Sequence, residues 1–270
     1  MRILSLSDIH GDMDAYQLFL EKLEGHSFDV VIIAGDLGDI GEAKAIVSPL
    51  ANFGKPIFYV MGNWDSFSYQ DNVHEVTTHL HLTHRRIGEW VFLGYSGCAA
   101  NLYRGNPSLA DKYDEFEKNK RLYKRKYGSY ELFCKSIAIK ELQAYIDENQ
   151  IDVDELVLVT HDRFYALPFT PFLYIFGHRH APKHTFHKGI NCVNTAAISM
   201  ESMLSNTPLD TPGNFCIVDL EGMSCQVDFN EVPSPYVRVI SGKVSAFQWL
   251  EKDGRRVQVA FKRRERFMGR

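Results

Sequence analysis

Five apolar runs in this chain each close on a residue able to ligate a metal, and that recurrence limits the fold more than any other feature. ILSLSDIHG gives Asp8 and His10, and VVIIAGDLG gives Asp36. IFYVMGNWD gives Asn63 and Asp65, LVLVTHD gives His161, and LYIFGHRH gives His178 and His180. Short aliphatic runs of this kind fit strands buried on both faces. In open α/β sheets ligands gather outside the carboxyl ends of the strands, because those ends share one edge. If the five strands share sheets, two carboxylates, one amide oxygen and four imidazoles converge there. That many polar side chains at one edge need a compensating charge, and divalent cations supply it. Roughly four to five ligands per ion, one of them shared, would hold two metals about 3.5–4 Å apart. Mixed N/O donors without thiolate suit manganese, iron or zinc, and not a structural Cys-rich zinc site.

The first two-thirds of the chain alternate such runs with helical periodicity, an α/β signature. Strands are expected at Ile3–Leu6, Val30–Ala34, Ile57–Met61, Trp90–Tyr95, Leu156–Val159 and Leu173–Phe176. Asp14–Leu23 reads as a helix with Asp12 or Asp14 as N-cap, and a second helix near Glu42–Phe53 stops at Gly54. Residues 106–150 read as a mostly helical, charged insertion. Beyond residue 212 hairpins take over, with bends at Glu221-Gly222 and Asp253-Gly254. The expected organisation is one domain over 1–235, with a C-terminal β-hairpin extension over 236–270 packed on it.

A chain of 270 residues, 45% hydrophobic and 24% charged, can bury a large core as an ordinary globular protein. The net charge of −4 argues neither for nor against a nucleic-acid partner. Two basic runs, Lys118–Lys126 and Lys252–Arg270, read first as solvated faces and second as contacts for a polyanion. Five scattered cysteines, odd in number, fit reduced thiols better than a disulfide framework. No apolar run reaches the roughly 18 residues of a membrane span, and the first strand starts at once, so the cytoplasm is the expected location. Neither oligomeric state nor substrate identity can be read from these residues.

Asp8-Ile-His10, Gly35-Asp36, Gly62-Asn63, Thr160-His161 and Gly177-His178-Arg179-His180 together resemble the five ordered motifs of the calcineurin-like metallophosphoesterases. The resemblance runs over roughly residues 1–230. It implies a four-layer α/β/β/α sandwich of two mixed sheets, with a two-metal centre that hydrolyses phosphomonoesters or phosphodiesters. Position by position, it implies that Asp8, His10 and His180 bind one metal and that Asn63, His161 and His178 bind the other. Asp36 would bridge them, and a hydroxide between the ions would attack phosphorus. The ions implied are divalent, manganese first, with iron or zinc as alternatives. Asn63, Trp64 and Arg179 would contact a small phosphate ester or nucleotide.

Two positions depart from the family pattern. Where the family usually has a general-acid histidine, this chain has Trp64, with Asp65 in the orienting position. An indole N–H donates a hydrogen bond but has no usable pKa, and losing a general acid typically costs roughly 10²–10⁴ in rate. Four accounts stay open: the metals stabilise the leaving oxygen directly, another histidine (His74, His79, His81, His84, His184 or His187) gives the proton, the indole stacks on a base or sugar, or it fills space. Asn194-Thr195-Ala196-Ala197 replaces a common Pro-Gly turn, which bears on the shape of that loop alone. The sequence reading is a dinuclear-metal phosphoesterase favouring phosphodiesters. The alternative is a metal-holding module that binds a phosphorylated ligand without turning it over.

Overall fold

Each expected strand pairs with a neighbour, and the pairs build two mixed sheets of six strands in the computed structural model. The structure describes residues 1–97, 109, 112–198 and 213–232, and the backbone of three strands beyond them. In chain order the first elements are β1 (Arg2–Leu6), α1 (Met13–Leu23), β2 (Val30–Ile33), α2 (Ile40–Ala51), β3 (Ile57–Tyr59) and β4 (Thr77–His79). Then come β5 (His84–Ile87), β6 (Trp90–Tyr95), α3 (Lys112–Lys118), α4 (Lys120–Tyr127) and α5 (Tyr130–Glu148). After a 3-10 turn at Val153–Glu155 follow β7 (Leu156–Thr160), β8 (Leu173–Phe176), β9 (Lys183–His187) and β10 (Ile190–Asn194). The last are β11 (Gly213–Glu221), β12 (Ser224–Val232), β13 (Val237–Arg238), β14 (Phe247–Lys252) and β15 (Arg255–Ala260).

The first sheet runs β12-β11-β1-β2-β3-β4 and the second β5-β6-β7-β8-β10-β9. β1 through β4 are parallel, as are β6, β7, β8 and β10, so both sheets send strand carboxyl ends the same way internally. Alternation along each strand sorts its side chains into layers. Val30, Ile32 and Ala34 share a core with Phe92, Val157, Val159 and Ile175, which is the seam between the sheets. Val31 and Ile33 turn the other way onto Phe19, Ile46 and Val47 of α1 and α2. On the far side Leu93, Leu158 and Tyr174 meet Phe133, Ala138 and Leu142 of α5. The result is the expected four layers of helix, sheet, sheet and helix.

Local signals explain the helix limits. Asp12, not Asp14, caps α1 by accepting from Ala15 N. α2 starts at Ile40 and not at Glu42, because Asp39 and Glu42 form a reciprocal capping box. The 106–150 stretch is three helices; its first residues lie outside the described set, as do the Asp253-Gly254 bend, Cys98 and most of the basic C-terminus. Cys134, Cys192, Cys216 and Cys225 are free thiols. Among the described residues no helix is long and apolar enough to cross a membrane.

His79 and His81 join the two sheets through an aromatic column. His79 stacks on Tyr59 at 4.9 Å, His81 meets Tyr95 edge-on at 4.6 Å, and Tyr69 lies edge-on to both histidines. Burial holds these imidazoles at about 4 and about 3, below the ordinary 6.5. Unfolded, both bind protons more readily, so their contribution is complete above about pH 6.5 and is lost as the pH falls through about 4. The urea-denaturation midpoint should therefore fall across that window, and the slope should flatten in a His79→Gln/His81→Gln variant. Equal slopes in the two proteins would remove these histidines from the account.

Candidate metal centre

The five motifs leave β1, β2, β3, β7 and β8, and their loops meet where the two sheets adjoin. Six of the seven expected ligands present a donor atom to a common space. Asp8 Oδ1 lies 3.1 Å from His180 Nε2 and 3.7 Å from His10 Nε2, and the two imidazole nitrogens are 3.2 Å apart. Asp36 Oδ2 lies 3.3 Å from His161 Nε2 and 3.8 Å from His10 Nε2. Asn63 Oδ1 is 3.0 Å from His161 Nε2. His178 is adjacent, its ring 5.1 Å from that of His161, while its backbone N–H donates to Asp8 Oδ2. Two sets of donors fall within 4.8 Å of one another, Asp8-His10-His180 and Asp8-Asp36-His161, with Asp8 common to both.

Asp8, Asp36 and His161 are almost wholly buried, at 0%, 1% and 0% exposure. Burial alone would raise both carboxyls, yet the surrounding imidazoles hold Asp8 and Asp36 below the ordinary carboxylate range. Burial likewise disfavours a charged His161, but Asp36 and then Asp8 push it up to about 10. These groups seek positive charge among themselves. His161 Nδ1 faces Ala34 O at 2.7 Å, and only an N–H satisfies a carbonyl, so Nε2 is the nitrogen turned to the carboxylates and Asn63. Asp8 Oδ1 is buried without a donor in hydrogen-bond geometry despite the nearness of His180. An orphaned carboxylate oxygen, facing imidazole nitrogens with an amide oxygen in the same set, fits a divalent cation by donor type.

Backbone strain and close approach build this geometry. Asp8, His10, Asp36, His178 and His180 all have positive φ, from 47° to 68°, a region non-glycine residues enter at a cost. Glycines before two of the motifs leave room for the ligands: a Cβ on Gly62 would come within 2.8 Å of His161 Cδ2, and one on Gly177 within 2.6 Å of Asp8 Oδ2. The Asn194–Ala197 loop has no glycine. Ala196 takes φ 69°, and its carbonyl lies 2.6 Å from Ser7 Oγ, which is also 2.6 Å from Asp8 Oδ2.

Trp64 lies against the ligands, its ring edge-on to His10 at 4.9 Å, and its backbone N–H donates to Asp36 Oδ1. Arg179 is exposed between its two histidine neighbours. Other histidines weighed as proton donors make their described contacts elsewhere, for example His84 with Tyr145 and His184 with Asn191. Sequence reasoning missed the role of Asp65. Its carboxylate accepts from four backbone amides, those of Asp36, Leu37, Gly38 and Gly62, and so ties the β2 and β3 loops together. Burial, then the charge of Asp36, raises this carboxyl to about 7 against the pull of the amides. The sequence signal was only an acid after Gly-Asn, which does not say what it holds.

Leaving several buried amides unpaired costs about 1–3 kcal/mol each. Asp65→Ala should lower stability by roughly 4 kcal/mol or more and weaken divalent-ion binding, with urea melts and calorimetric metal titration as the measurements. A neutral substitution would show that the clamp is dispensable.

The calcineurin-like phosphoesterase profile matches residues 1–195. Among solved structures, TT1561 of Thermus thermophilus is 17% identical, with a TM-score of 0.57, over 86% of this chain and 98% of that one. A predicted phosphoesterase from Streptococcus pneumoniae TIGR4 is 15% identical over 85% and 88%, with a TM-score of 0.42. Wild-type Vps29 complexed with zinc, from Entamoeba histolytica, is 14% identical over 86% and 99%, with a TM-score of 0.41. Among curated proteins none matches the sequence. With 195 matched residues out of 270 and this fold, the chain belongs to the calcineurin-like phosphoesterase family.

Proposed function

We propose that the chain is a dinuclear-metal phosphoesterase that hydrolyses phosphodiesters in preference to monoesters. The observation that carries the reading is the pair of donor sets sharing Asp8. Asp8, His10 and His180 would hold one ion; Asn63, His161 and His178 would hold the other. Asp36 reaches toward both, with its Oδ2 at 3.3 Å from His161 and 3.8 Å from His10. Two divalent ions, manganese first and iron or zinc as alternatives, would supply an activated water and neutralise phosphate charge. Free buried thiols fit a reducing compartment, the cytoplasm.

The protein's own part is binding and orientation. Ala34 O fixes the His161 tautomer, Ser7 and the His178 amide hold Asp8 Oδ2, and Trp64 N holds Asp36 Oδ1. Arg179, exposed between two candidate ligands, would meet a phosphate oxygen. Trp64 offers an N–H but no transferable proton at neutral pH. Leaving groups that depart without protonation are therefore favoured. The rival reading, a phosphate-binding module without turnover, draws on that same indole beside His10.

Purified protein with Mn²⁺ should hydrolyse bis-p-nitrophenyl phosphate, and Asp36→Ala should lose at least about two orders of magnitude in kcat/KM. Metal-dependent turnover no greater than that of the variant would leave only the binding module. Trp64→His should speed poor leaving groups by about tenfold or more while changing p-nitrophenyl esters little. The slope of log kcat against leaving-group pKa is the measurement, and an unchanged slope would refute the general-acid argument.

A further inference from the structure

The α3–α4–α5 insertion carries a charge pattern that the metal centre does not explain. Residues 112–127 hold seven Lys/Arg against three acids, in a chain whose net charge is −4. Two of the seven are paired, Lys112 with Glu115 and Lys120 with Glu117. Lys118, Arg121, Lys124, Arg125 and Lys126 are exposed and form no ion pair among the described residues. On α4 they leave one large exposed aliphatic, Leu122. Tyr123 and Tyr127 turn inward onto Phe133 at 4.9 and 5.1 Å. A helix built this way lacks the broad apolar face that a membrane-lying helix buries.

Its placement links it to the catalytic edge. Phe133, which receives the tyrosines of α4, is in the first turns of α5. Two residues on, the nearly buried Lys135 Nζ lies 2.7 Å from Asp162 Oδ2, and Asp162 follows His161 directly. The basic helix thus leads into the part of α5 that grips the loop carrying a candidate ligand. Exposed tyrosines flank this path. Tyr113 is 51% and Tyr165 64% exposed, and the Arg163 guanidinium lies 5.3 Å from the Tyr165 ring. Unpaired cations that can track phosphates, combined with exposed tyrosines, are the makings of a single-strand nucleic-acid surface.

We infer that the insertion binds the backbone of single-stranded nucleic acid and leads it to the metal edge, so that the phosphodiester substrate is a polynucleotide. The inference rests on the phosphodiesterase reading above and extends it to a substrate class. Each cation that neutralises a phosphate of a single strand contributes about 0.7 to the slope of log affinity against log salt. Removing Arg121, Lys124, Arg125 and Lys126 should therefore flatten that slope by about 2–3.

The test is fluorescence anisotropy of a labelled oligothymidylate with the full chain, without added metal, across a range of salt. Wild type should bind. Arg121→Gln/Lys124→Gln/Arg125→Gln/Lys126→Gln should bind at least about tenfold more weakly, with the flatter slope and an unchanged melting curve. The milder Arg125→Gln/Lys126→Gln variant should show about half the change in slope, which covers the case of a poorly folded quadruple variant. Hydrolysis of bis-p-nitrophenyl phosphate, which has no polynucleotide backbone for α4 to hold, should be the same in all three proteins. No binding by wild type, equal binding by the variants, or binding to phosphatidylserine vesicles in place of the oligonucleotide overturns the inference. Salt-sensitive binding lost in the variants, with no diester hydrolysis by any protein, supports the nucleic-acid surface but sinks the enzymatic reading and, with it, the polynucleotide as substrate.

Discussion

Asp8 and Asp36 are carboxylates with almost no contact with water, lying where the two sheets adjoin. Taking an ionised group out of water costs several kcal/mol even after the protein relaxes. The surrounding architecture answers that cost. Asp8 Oδ2 is satisfied by Ser7 and by the His178 amide, and Asp36 Oδ1 by the Trp64 amide. The remaining oxygens, Asp8 Oδ1 and Asp36 Oδ2, face imidazoles. One oxygen of each carboxylate is thus fixed by the fold while the other is presented to a common space. The requirement for positive charge is directional as well as large.

That requirement accounts for the strained loops. A strand ending in ordinary extended backbone would carry the next side chain onward along the strand axis. The positive φ at Asp8, His10, Asp36, His178 and His180 turns the chain at each ligand, so that loops from two sheets aim inward. Each such residue costs of order 1–3 kcal/mol in backbone strain. The strands behind them can hold that strain because β1, β2, β7 and β8 are almost completely buried and paired on both sides. A weakly packed strand end would relax instead.

The candidate site was legible in the sequence because its signal is an abrupt change of polarity at the end of a buried strand, and such a change needs no partner to be seen. β6 and β8 match their expected bounds for the same reason. β5 and β9 were invisible: HRRI and KHTFH are short, polar and largely exposed, and their strand character comes from the neighbours they pair with. The Asp65 clamp was hidden by a different cause. Its four donors are backbone amides spread from residue 36 to residue 62, and backbone groups have no signature in a sequence. The Lys135–Asp162 pair was hidden because its two side chains sit on a helix and on a loop 27 residues apart, and nothing in the sequence pairs them.

The tryptophan at position 64 reads differently once backbone and side chain are separated. Its amide N–H holds Asp36, and the carboxylate of Asp65 beside it holds the loops after β2 and β3. Neither contact uses the side chain at position 64. The frame that presents the ligands is therefore indifferent to whether an imidazole or an indole stands there, apart from the space beside His10 that the ring fills. Under the proposed reading, substitution at this position would alter how a leaving group is handled while the cluster of carboxylates and imidazoles keeps its shape. A chain that had lost all use for metals would face no such separation. The buried Asp8 and Asp36 would then be pure cost, and apolar replacements at those positions would raise stability.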